Sequence, residues 1–198
     1  MRYEQVHGLR MAYREVGRGD PVVFLGRPSS PRCRGRDRTR PILPDPALFG
    51  PLRGPDGERL VLAENVFVEK VLPAGTLREL TAEKMDGYRS PYREPGESRR
   101  PTLTWPREIP IDGEPADVHE IVTRNAQWMA SSPVPKLFVN GDPGALLTGP
   151  LREQCRRWPA QDEVTVPGLH FLPEDSAPAI AGALDAWLGR LPVDVSTR

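Results

Sequence analysis

Apolar side chains are scarce in this chain of 198 residues: 38% of it is hydrophobic and 7% aromatic. A domain of this length has room for one sizeable core, so the shortage confines close packing to part of the chain. Cysteine is nearly absent. Cys33 and Cys155 stand far apart, form no CxxC pair and share no ligand spacing with a histidine, so neither a zinc site nor a disulfide framework is indicated and a reducing compartment is expected. No 18 apolar residues run together, and the opening MRYEQVHGLRMAYREVG has no apolar h-region. Neither a membrane span nor a signal peptide is expected, and the chain reads as cytoplasmic. An excess of charge is missing too. The 27 basic side chains balance 27 acidic ones, which leaves no field to gather nucleic acid.

Breakers are what the chain has in quantity, with 24 prolines and 18 glycines. Alternation around Val6, Leu9, Met11 and Tyr13, with Gly8 at a turn, predicts a hairpin, and Val22–Leu25 predicts a buried strand ending at Gly26. The stretch RPSSPRCRGRDRTRPILPDP has six arginines and no apolar period, so Arg27–Ala47 is expected to be irregular. Order returns at Leu48. Glu58–Leu72 has helical composition and stops at Pro73 and Gly75, and Thr81 caps a short helix through Tyr88. Tyr92–Pro115 reads as irregular. Val118, Ile121, Val122, Asn125, Trp128 and Met129 then recur at helical spacing, with Pro115 as an early helical residue. Leu137–Asn140 and Glu163–Val166 read as strands around a helix capped by Thr148 that carries Leu151, Cys155 and Trp158 on one face. Ser176 caps a last helix with Ile180, Ala183, Leu184, Trp187 and Leu188 on one side. Strand, helix, strand, loop and helix in succession predict an α/β fold with a parallel sheet edge.

The strings GERLVLAENVFVEKVLP, PTLTWPREIPIDGEPADV, SPVPKLFVNGDPGALLTG and GLHFLPEDS closely resemble haloalkane dehalogenases of the α/β-hydrolase fold, over nearly all of Leu48 to Leu191. The front piece HGLRMAYREVGRGDPVVFL resembles that family's opening hairpin and third strand. The resemblance implies cleavage of a carbon–halogen bond by an aspartate at a strand-to-helix elbow, followed by hydrolysis of the alkyl ester by a histidine-activated water, with no cofactor and no metal. Its substrate would be a small apolar halogenated molecule. It divides the chain into a front hairpin and strand (1–26), a linker (27–47), a helical cap-like region (48–132), a C-terminal α/β portion (133–192) and a tail (193–198).

Carried over residue by residue, the resemblance puts the general base on His170 and pocket-lining positions on Phe67, Val71, Trp105, Pro106, Ile109, Leu146 and Phe171. The halide-binding position after the third strand is occupied by Arg27. No elbow string is found, and a βαβ unit needs about 30 residues, so the central strands have no room in the linker. The expected fold is therefore an incomplete α/β-hydrolase sheet with a cap, catalytically silent, whose open edges invite self-association. An alternative is a remnant that binds apolar ligands without turnover. His170 has two readings, the base or a loop histidine left without partners. Asp142 follows a strand where other α/β-hydrolases place the orienting acid, and it equally suits a turn before proline. Glu174 and Asp175 suit the start of the last helix. Ser29, Ser30 and Cys33 are nucleophile types without an elbow around them.

Overall fold

The computed structural model describes residues 2–6, 9–13 and 46–191. The expected strand Val22–Leu25, the arginine-rich linker with Arg27, Ser29, Ser30 and Cys33, and the tail lie outside the described residues. Strands β1 (Arg2–Val6) and β2 (Leu9–Tyr13) form the expected antiparallel hairpin, pairing Arg2 with Tyr13 through Val6 with Leu9. Helix α1 (Pro46–Arg53) opens two residues before the expected return of order. Proline is tolerated there, since the first turn of a helix has no use for its amide hydrogen.

The expected single helix over Glu58–Leu72 is instead two π-helical turns, Arg59–Ala63 and Phe67–Val71, followed by a single turn α2 (Leu72–Ala74). Asn65 breaks it. Its φ of 52° lies in the left-handed region that asparagine tolerates better than most residues. Its amide closes the first turn on the Val61 carbonyl, and its carbonyl starts the second by accepting from Val68 and Glu69. Helix α3 (Ala82–Arg89) is capped as expected by the Thr81 hydroxyl, which accepts from the Lys84 amide at 3.3 Å.

Tyr92–Pro115 is more regular than its prolines suggest, because it holds α4 (Arg100–Arg107). Pro101 stands in the first turn, and Pro106 falls just before the helix ends, so neither breaks a long run. Leu103 of this helix meets Leu52 and Val61 in one buried cluster; Val68, Leu72, Leu80 and Met85 form a second. Two guanidinium groups tie the region together. Arg53 donates to the carbonyls of Arg107 at 2.7 Å and Ile109 at 2.6 Å, and the buried Arg99 donates to those of Tyr92, Leu62, Ala63 and Arg93.

Helix α5 (Ala116–Ser131) begins one residue after Pro115, which is extended rather than helical, with its carbonyl accepting from His119. Strand β3 (Lys136–Pro143), helix α6 (Gly149–Arg156), strand β4 (Gln161–Gly168) and helix α7 (Leu172–Leu188) follow in the predicted order. β3 and β4 are parallel, in register from Lys136 with Gln161 to Pro143 with Gly168. Leu151 and Cys155 of α6 are buried with Phe138, Leu147 and Trp158 around them, as the helical spacing predicts. Trp187 is buried too, whereas Trp128, one of the residues at helical spacing in α5, is 50% exposed. Two expected caps differ. Thr148 precedes α6 without a side-chain cap bond, and Ser176 lies at a kink inside α7, its hydroxyl donating to the Pro167 carbonyl at 2.6 Å. The described strands thus form two two-stranded sheets, the parallel one an incomplete α/β sheet under helices.

Candidate active site

The loop from Gly168 to Phe171 joins β4 to α7 and carries His170. Its backbone is fixed from outside the sheet, because the amides of His170 and Phe171 both donate to the Gly75 carbonyl at 2.9 Å. Gly75 permits this approach: a Cβ on it would stand 2.6 Å from the Phe171 ring carbons. The Phe171 ring in turn packs on the Val68–Met85 cluster.

Asp175 closes the clamp. Its carboxylate accepts from the amides of Leu77 at 2.9 and 3.0 Å, Arg78 at 3.1 Å and Leu169 at 3.2 Å. Burial raises its pKa, but the three amide donors outweigh that and hold the carboxyl below its ordinary range. Glu174, beside it, accepts from Lys84 and from the Tyr88 hydroxyl at 2.6 Å, with Arg78 at 3.5 Å. Lys84 and then Tyr88 lower its pKa, and the hydrogen bond it accepts, with burial after it, raises that of Tyr88. Both carboxylates lie in the first turn of α7, as expected, yet their oxygens serve residues nearly a hundred positions away. The sequence signal for this was weak: an acidic pair after GLHFLP reads locally as helix-dipole chemistry.

The His170 imidazole is half-buried and lies 4.7 Å from the Phe171 ring, the planes inclined at 63°. Burial lowers its pKa, which keeps it neutral and able to accept a proton near neutrality. No hydrogen bond holds its ring nitrogens among the described residues. Asp142 is exposed at the end of β3, in register with Pro167, and no hydrogen bond joins it to His170.

Of the other positions singled out from the sequence, Phe67 and Trp105 meet edge to face, with centroids 6.3 Å apart and planes at 88°. Trp105 is 53% exposed and Val71 is also exposed, while Pro106 and Ile109 are buried. Leu146 is half-buried on the loop between β3 and α6. Arg27 lies outside the described residues. The geometry brings together Phe67 with Trp105 and His170 with Phe171 and Gly75.

No protein-family model matches the chain. A haloalkane dehalogenase of Sphingobium indicum is 53% identical over 147 residues, covering 74% of this chain and 50% of its own. A haloalkane dehalogenase of Mycolicibacterium smegmatis is 47% identical over 143 residues, covering 71% of this chain and 46% of its own. The crystal structure of a haloalkane dehalogenase from Bradyrhizobium elkani superposes with a TM-score of 0.68 at 40% identity, covering 72% of this chain and 50% of that one. The chain spans about half the length of the curated relatives it matches. It is a partial member of the haloalkane dehalogenase family, with the α/β-hydrolase fold.

Proposed function

We propose that this chain is the cap and histidine-bearing portion of a dehalogenase-like hydrolase, and that it releases no halide by itself. In a complete arrangement His170 would take a proton from the water that hydrolyses the alkyl ester, and the apolar surface of Phe67, Trp105 and Phe171 would meet a small halogenated substrate. The observation that carries the reading is the imidazole: buried enough to stay neutral, held by its backbone, and without a carboxylate on either nitrogen among the described residues. A nucleophile–base pair works as a unit, and loss of one partner costs on the order of 10⁶ in turnover. The reading treats the chain as a cytoplasmic pseudoenzyme; no described helix is long and apolar enough to cross a membrane. The test is halide release from a brominated alkane. Release no faster than that of the His170→Ala variant is expected, and release that His170→Ala abolishes would overturn the claim of inactivity.

The half-exposed Trp105 against Phe67 favours a second reading, an apolar-ligand site without turnover. Saturable quenching of tryptophan fluorescence by a brominated alkane, lost in Trp105→Ala, is its expected signature; an unchanged response in that variant counts against it.

A further inference from the structure

We infer that Asp175 is a positioning residue for His170: its carboxylate sets the histidine loop against residues 75–78 in one register, and the imidazole takes its place through that clamp rather than by touching the carboxylate. The inference rests on the reading of His170 as the base and deepens it. Both carboxylate oxygens are engaged by backbone. Oδ1 accepts from the Leu77 and Arg78 amides and Oδ2 from those of Leu77 and Leu169, and none of these bonds goes to the His170 ring. Leu169 directly precedes the histidine. Leu77 and Arg78 follow closely on Gly75, whose carbonyl holds the His170 and Phe171 amides at 2.9 Å. The two attachments close a ring that runs from Gly75 to Leu77, through Asp175 to Leu169, and back through the His170 amide. A single bond would let the loop pivot, whereas a closed ring fixes its direction as well as its place.

Each side of the ring is anchored in turn. Gly168, at the end of β4, leaves room for the carboxylate: a Cβ there would stand 3.2 Å from Asp175 Oδ2 and 2.7 Å from Leu172 Cδ2. The Ser176 hydroxyl donates to the Pro167 carbonyl at 2.6 Å, which pins the start of α7 to the strand that leads into the loop. On the other side, the Gly75 amide donates to the Val71 and Leu72 carbonyls at 3.0 and 3.1 Å, and the Thr76 hydroxyl to that of Pro73 at 3.0 Å. Val71 ends the π-helical turn that begins at Phe67, and Phe67 meets Trp105. The clamp therefore ties the imidazole to the stretch of chain that carries the apolar pocket positions.

Glu174, the preceding residue, carries the same charge in the same helical turn but is placed differently. Its oxygens meet the exposed side chains of Lys84, Tyr88 and Arg78, for which water can substitute, and its carboxylate holds no amide of the histidine loop. It separates the effect of a charge near the loop from the effect of the clamp.

The test is an NMR titration of the imidazole together with amide hydrogen exchange. His170 is one of three histidines, and its resonance is the one missing in His170→Ala. In Asp175→Asn, and further in Asp175→Ala, the loop loses its register and the ring its burial, so the midpoint should move up toward the free value of about 6.5. A direct effect of charge has the opposite sign, because removing a nearby anion lowers the pKa of a histidine. Exchange of the His170 and Phe171 amides should quicken about tenfold or more relative to the amides that pair β3 with β4. Glu174→Gln should move neither readout, nor should Arg99→Ala, which loosens the fold elsewhere. Asp175→Asn keeps the proposal testable if the alanine variant fails to fold. A midpoint that falls, one that stays put in the Asp175 variants, or an equal rise in Glu174→Gln or Arg99→Ala would each overturn the proposal. Neither readout needs turnover. Halide release that depends on His170 would refute the inactivity and leave the clamp standing, whereas an unmoved midpoint refutes the clamp and leaves the inactivity standing.

Discussion

Replacing Asp175 by alanine removes one acceptor shared by three backbone amides, those of Leu77, Arg78 and Leu169. A hydrogen bond to a charged group contributes about 1.5–3 kcal/mol. The Leu77 and Arg78 amides lie where water can replace the carboxylate, so the loss at pH 7 should settle near 2–3 kcal/mol, roughly one full bond, rather than the total of three. Asparagine keeps the shape and one acceptor oxygen, and should cost about half as much. The pH dependence has a fixed sign. Burial raises the carboxyl's pKa and the amide donors lower it further than that, so the folded value lies below the unfolded one. The contribution is therefore complete above the unfolded carboxylate's pKa of about 3.9 and is lost as pH falls through the folded value. Urea unfolding followed by tryptophan fluorescence at pH 7, 5 and 3 measures it. The gap between the original chain and Asp175→Ala should hold from pH 7 to 5 and narrow at pH 3. A gap under about 0.5 kcal/mol at pH 7, the size of an ordinary surface substitution, or one that widens in acid, would refute the clamp.

Three further outcomes are expected. His170, its pKa lowered by burial, should titrate by NMR below the free imidazole value of about 6.5; a midpoint at or above it would mean that a carboxylate reaches the ring. Its neutral form is favoured by folding, so its contribution to stability is present above that value and lost as pH falls through the folded pKa. Arg99→Ala leaves four carbonyls without their donor and should cost roughly 3–4 kcal/mol in urea unfolding, with Arg99→Lys recovering little because a lysine cannot span all four. Gly75→Ala drives a methyl into the Phe171 ring and should lower the thermal midpoint by roughly 3–8 °C; an unchanged midpoint would show that the histidine loop moves away without cost.

Local pattern exposed much of the architecture. The spacing of Leu151, Cys155 and Trp158 and the strand-type runs Leu137–Asn140 and Glu163–Val166 were enough to order β3, α6 and β4 and to put His170 on the loop after them. It failed where one residue's backbone or one distant partner decides. Helical composition over Glu58–Leu72 says nothing of Asn65 adopting φ 52°, and proline counting hides α4 because Pro101 and Pro106 stand near its ends. Nor can local pattern reveal that Asp175 bonds residues 97 and 98 positions earlier. Motif likeness singled out Pro106 and Ile109 together with Trp105; the first two are buried under Arg53's hydrogen bonds and the third is half-exposed, a distinction set by packing alone.

Trp128 separates the two kinds of information most sharply. Helical spacing correctly places it with Ile121 and predicts that this face of α5 has an apolar partner, but periodicity specifies a surface and never what lies on it. Half of that surface meets water here. The same holds for β3, whose Leu-Phe-Val run is uncharged and which, among the described residues, pairs on one side only.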